Sequence, residues 1–161
     1  MKLTGRQVLQ LYTLVEQLKN VKLGVRTALK LATIRKKLQP HYETIEEVRT
    51  KLQDIIRDYE TERLQLCHQY AVKDKDGNPV IAGTQFVIEP AKLEEFNQKI
   101  QELREKYKDA LDEFEKEMTE FEKVLDEEID IDIPTLKESD LPPNLELSIE
   151  EVEVLSTIIE D

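Results

Sequence analysis

Residues 73–80 read Lys-Asp-Lys-Asp-Gly-Asn-Pro-Val and fall between two long helical patterns. A helix, an aspartate-rich loop and a second helix could make a calcium site. Such a loop supplies oxygen ligands at positions 1, 3 and 5, a glycine at 6 and a bidentate glutamate at 12. With Gly77 at the glycine position, Asp74 and Asp76 take two ligand places, but the first falls to Val72 and the bidentate one to Gly83. Both decisive ligands are missing. The runs "YAVK" and "PVIAGTQFVI" on either side are β-prone, so the spacing predicts a β-hairpin over 70–88.

The other chemistry-bearing residues are sparse. Cys67-His68 would need further ligands at suitable spacing to hold zinc, and the one other histidine, His41, is distant in sequence. A nucleophilic cysteine would need a base and an orienting group that no motif supplies. Carboxylates abound, as in "EEFNQKIQELREKYKDALDEFEKE", but they alternate with lysines at helical ion-pair spacing, the pattern of a wet face. No phosphate-cradling glycine loop or nucleophile elbow occurs. The expectation is a protein that is not an enzyme and uses no cofactor or metal.

The strongest charged constellation is basic: Arg26, Lys30, Arg35, Lys36 and Lys37. A stripe of cations can neutralise phosphates. Base-stacking aromatics are absent beside it and the rest of the chain would repel nucleic acid, so docking of an acidic segment or a protein partner is favoured.

These residues must be held by helices. Thr4-Gly5-Arg6-Gln7 has the form of a capping box, and Val8, Leu11, Val15 and Leu18 recur at helical spacing to about residue 20. Gly24 suits a turn or cap. A second basic helix follows, with Val25, Ala28, Ala32 and Leu38 loosely on one side, until Pro40 ends or kinks it. Ile45, Val48, Leu52, Ile55 and Tyr59 then alternate at spacings of three and four. Leu93, Phe96, Ile100, Leu103, Tyr107, Ala110 and Phe114 repeat the pattern, the seam of a coiled coil. The expected fold is mainly α: an antiparallel coiled-coil helical hairpin with arms at 42–69 and 91–125, tipped by the β-hairpin. Basic N-terminal helices over 4–39 complete a helical domain spanning 1–125.

Residues 126–161 are expected to form a separate acidic tail. "EIDIDIP" alternates Ile129, Ile131 and Ile133 with acids, a strand-like period ended by Pro134. Ser148 and Glu151 form a second capping box, opening a short helix with Ile149, Val152, Leu155 and Ile159 on its stripe. The tail carries thirteen acids and one lysine, whereas residues 1–40 carry nine basic residues and one acid, Glu16. Opposed charge of this kind favours the tail strapping onto the basic helices.

Hydrophobic residues make up 39% of the 161 and charged residues 36%, with no Trp, a balance suited to long helices rather than a thick core. No apolar run approaches a membrane span, and "MKLTGRQVLQLYTLVEQ" breaks its apolar stretch too soon for a signal peptide. The single cysteine suits a reducing cytosol.

The order "MKLTGRQVLQLYTLVEQL", "ALKLATIRKKLQPHYETIEEVRTKL", "DKDGNPV", "FVIEPAKLEEFNQKIQEL", "EIDIDIPTLKESDL" and "LELSIEEVEVLSTIIED" resembles a family of small uncharacterised proteins of bacteriophages and prophages of Gram-positive bacteria. The resemblance implies a viral origin and expression in the cytoplasm of a bacterial host, free or associated with virions. It implies no catalytic residue. The expected function is protein–protein interaction, as an assembly accessory or by binding a host or phage protein, with leftover seam surface available for a homodimer. Two rivals are an acidic nucleic-acid mimic that inhibits a host DNA-binding or defence protein, and a nucleic-acid binder using the basic helices. No membrane role is expected.

Overall fold

A computed structural model describes residues 1–160. The chain is mainly helical with small two-stranded sheets, and it forms two compact units. One comprises Met1–Arg49 together with the chain from Glu120 onward; the other is the intervening Thr50–Thr119. The boundary expected at residue 125 is therefore not where the fold divides. The acidic tail belongs to the same unit as the basic helices because its isoleucines and leucines supply one side of a shared core.

That first unit begins with strand β1 (Lys2–Thr4) and helix α1 (Gly5–Leu18). The Thr4 hydroxyl accepts from the Gln7 N–H at 3.1 Å while the Gln7 side chain accepts from the Thr4 N–H at 2.8 Å, so the capping box is formed. α1 buries Val8, Leu11, Leu14, Val15 and Leu18. Helix α2 (Val25–Ile55) follows, with the Gly24 carbonyl accepting its first bond, from Ala28. Gly24 thus starts α2 rather than capping α1. In its first half α2 buries Thr27, Leu31, Ile34 and Leu38, whereas Val25, Ala28 and Ala32 are exposed. Only Leu38 of the expected stripe faces inward. Helix continues past Pro40. The proline is exposed, so water can reach the carbonyl of Lys36 that loses its intrahelical donor.

The tail closes this core. Strand β4 (Glu128–Asp130) pairs antiparallel with β1, Leu3 opposite Ile129, so the strand-like period finds its partner at the start of the chain. Strand β5 (Leu136–Lys137) pairs in parallel with β6 (Ile159–Glu160), which follows helix α6 (Ile149–Ser156). Ser148 and Glu151 form the expected capping box. Ile131, Ile133, Leu136, Leu155 and Ile158 join Leu3, Leu11 and Ile34 in one buried cluster. Of the stripe read along α6, Leu155 is buried and Ile159 packs against the core, whereas Ile149 and Val152 are exposed and Val154 and Ile158 turn inward instead. Gly5 packs closely: a Cβ there would lie 3.2–3.3 Å from Leu125 Cδ2 and Cα, tighter than ordinary contact, so Leu125 would have to shift by a few tenths of an ångström to admit one.

In the second unit, helix α3 (Arg57–Tyr70) leads to a hairpin of β2 (Ile81–Ala82) and β3 (Gln85–Phe86). Helix α4 (Leu93–Lys106) and the first part of α5 (Lys108–Leu125) complete the unit. Tyr70 meets Phe96 at 5.9 Å, Glu62 meets Lys106 at 2.9 Å and Tyr59 meets Tyr107 at 6.1 Å, so α3 and α4 run antiparallel. The arms expected as continuous helices are each interrupted, at Ile56 and at Tyr107, where the backbone leaves helical geometry. The Asp-rich loop is a turn. Asp74 Oδ1 accepts from the N–H groups of Asp76 and Asn78 at 2.9 and 3.0 Å, and Gly77 takes φ +79°.

Candidate basic and apolar groove

Each turn of the first half of α2 returns a residue to the same outer face, so Val25, Leu29, Thr33 and Lys37 form a row, with Arg26 and Lys30 beside it. The extended segment 132–134, anchored by buried Ile133, forms the opposite wall. Between them lies an open groove of about 740 Å³. Val25 is 78% exposed and Leu29 64% exposed, so two aliphatic side chains stand in water among cations.

Three of the five basic residues read from the sequence, Arg26, Lys30 and Lys37, line this groove. Lys30 is already engaged: its Nζ lies 3.0 Å from Asp140 Oδ2, and the neighbouring Thr27 hydroxyl donates to the Asp140 carbonyl at 2.8 Å. The Lys137 backbone N–H, then Lys30, hold the Asp140 carboxyl below the usual carboxylate range. Arg35 turns to α1 instead, hydrogen-bonding Glu16 and lowering that carboxyl's pKa. Lys36 is exposed and does not line the groove. Among the described residues, Arg26, Lys36 and Lys37 have no ion-pair partner. One tail contact therefore lands on the predicted cluster, and Arg26 and Lys37 remain available in the groove.

Sequence reasoning missed Val25 and Leu29 as surface residues and missed the wall at 132–134. The signal was present in the row Val25-Leu29-Thr33-Lys37, which is out of phase with Leu31-Ile34-Leu38. Elsewhere, Cys67 is buried, with Arg63 4.0 Å from its sulfur, while the exposed His68 ring packs edge-on to Phe86 at 5.0 Å. Among the described residues no group of three or more His, Cys, Asp or Glu is placed to hold a metal ion, and no helix is long and apolar enough to cross a membrane. The side chains lining the groove are aliphatic, hydroxyl and cationic, with Asp132 the one acid on its wall.

Residues 10–138 match the family described as "Protein of unknown function (DUF1617)", and the chain belongs to that family. No curated protein and no solved structure matches it.

Proposed function

We propose that this member of the DUF1617 family is a non-enzymatic protein–protein interaction factor, phage-encoded and acting in the bacterial host cytoplasm. It serves as an assembly accessory or binds a host protein. Its docking site is the α2 groove, and the ligand class is an acidic amphipathic segment of a protein. The observation that carries this reading is the exposure of Val25 and Leu29 beside Arg26 and Lys37, which have no ion-pair partner among the described residues. Aliphatic side chains left in water at helical spacing are what a partner helix or strand covers. A phosphate-binding surface needs the cations but gains little from the aliphatics, and no aromatic ring lines the groove for base stacking.

The test is a tagged pull-down from nuclease-treated bacterial lysate, comparing the wild type with Arg26→Glu/Lys37→Glu. The wild type should retain one protein in near-equal amount, and the charge-reversed chain should lose it. A partner held equally by both forms refutes docking in the groove. If its capture also collapses at moderate salt, the acidic-mimic reading, based on the carboxylates of α5 and the tail, takes over.

A further inference from the structure

The same unit that carries the groove also carries its chemical complement. α6 is fixed to the core by Leu155 and, more peripherally, Val154, with Ile158 buried just beyond its end, which leaves Ile149 and Val152 exposed. That face presents Ile149, 81% exposed, and Val152, 52% exposed, flanked by the exposed Glu150 and Glu153. The groove presents Val25 and Leu29 flanked by Arg26 and Lys37. The spacings also correspond: the aliphatics stand four residues apart in one helix and three in the other, roughly 4.5–6 Å along the axis. Within one chain both faces are open to solvent, so neither fills the other.

We propose that the α6 face of one copy docks in the α2 groove of a second copy. This rests on the reading of the groove as a protein-docking site and names its occupant. Ile149 and Val152 cover Leu29 and Val25, which sets Glu150 and Glu153 beside Arg26, while Lys37, roughly 12 Å beyond Leu29 along α2, adds its charge at longer range. Asp132 on the groove wall is the one charge of the wrong sign. Because the two patches differ, the contact is head-to-tail: each copy offers one face and one groove, so association builds rings or open chains instead of stopping at a symmetric pair. Four side chains a side are far fewer than the roughly 20–30 residues a side of a standard interface, so the contact is weak, concentration-dependent and salt-sensitive.

Sedimentation equilibrium of the full chain at concentrations up to the order of 100 µM and low salt tests this. The wild type should rise above its 18.9 kDa monomer mass as concentration increases. Arg26→Glu/Lys37→Glu reverses the sign of the groove, and Glu150→Lys/Glu153→Lys reverses the sign of the face. Each should stay monomeric alone, and an equal mixture should associate, because each variant's face then meets a groove of opposite sign on the other. Combining all four reversals in one chain should restore association. Glu151 is left in place because it caps α6. The inference is overturned by a wild type that stays monomeric, by either variant associating alone as the wild type does, or by a mixture that stays monomeric. A monomeric wild type that still captures a groove-dependent lysate protein would overturn this inference alone and leave the docking reading standing.

Discussion

Replacing Ile158 with Ala separates a tail that is part of the core from one that lies loosely on it. Ile158 is fully buried in the cluster with Leu3, Ile34 and Leu136, and its carbonyl accepts the Leu136 N–H at 2.8 Å. The substitution removes three carbons, about 2.4 kcal/mol at about 0.8 kcal/mol per methylene. A cavity term adds to this, because a close-packed cluster collapses only partly, giving about 3–4 kcal/mol. With a urea m-value of about 2 kcal/mol/M the midpoint falls by roughly 1.5–2 M. Ile149→Ala, nine positions earlier, removes the same atoms from a side chain 81% exposed and should shift stability by less than about 0.5 kcal/mol. Urea titrations at low micromolar chain, followed by far-UV circular dichroism, read both. The near-UV signal of Tyr12 stacked on Tyr42 at 4.2 Å reports on the same unit. Coincident midpoints for Ile158→Ala and the wild type would refute the claim that the tail is integral to the core.

Thr4→Ala removes the hydroxyl that caps α1 and should cost about 1 kcal/mol in thermal unfolding, with Thr4→Ser retaining most of it. Asp74→Ala leaves the Asp76 and Asn78 N–H groups to water; the expected loss is about 1 kcal/mol, seen as faster amide exchange confined to 72–80. Acid should also weaken the fold. Hydrogen bonds from Arg35 and Lys106 depress the Glu16 and Glu62 carboxyls, and the Lys137 N–H with Lys30 depresses Asp140. The folded chain therefore binds fewer protons than the unfolded one. The stabilisation is complete above the ordinary carboxylate values and is lost as pH falls through the depressed ones. Melting temperature should drop between about pH 5 and pH 2, and Asp140→Asn should flatten part of that slope.

What could be read from sequence was what local chemistry decides. Both capping boxes, the turn at Asp74–Gly77 and the period of Ile129–Ile133 depend on neighbours a few residues away, and each appears where the residues indicated. The phases of α2 and α6 were not legible, because which stripe is buried depends on α1 and on strands more than a hundred residues distant. Val25 and Leu31 are equally apolar as letters; only the wall offered by the tail separates them. Pro40 shows the same limit. A local cost of about 3 kcal/mol was outweighed by the burial of Leu38 and Ile34 on the same helix. The interruptions at Ile56 and Tyr107 carry no Gly or Pro to announce them. In the candidate site, the cations were visible as composition, but the groove needed the segment 132–134 beside them.

The pairing of β1 with β4 has a consequence for the order of assembly. Residues 50–119 form a unit of their own between the two pieces of the other. On the ribosome that hairpin emerges complete and can fold from near-neighbour contacts, while Leu3, Val8 and Leu11 wait for Leu155 and Ile158 to be synthesised. Until then the N-terminal helices expose the stripe that the tail will cover, which makes the nascent chain a substrate for chaperones over most of its translation. The same arrangement frees the inserted unit to change in length: equal additions to α3 and α4 would lengthen the hairpin and leave every residue of the discontinuous core in place.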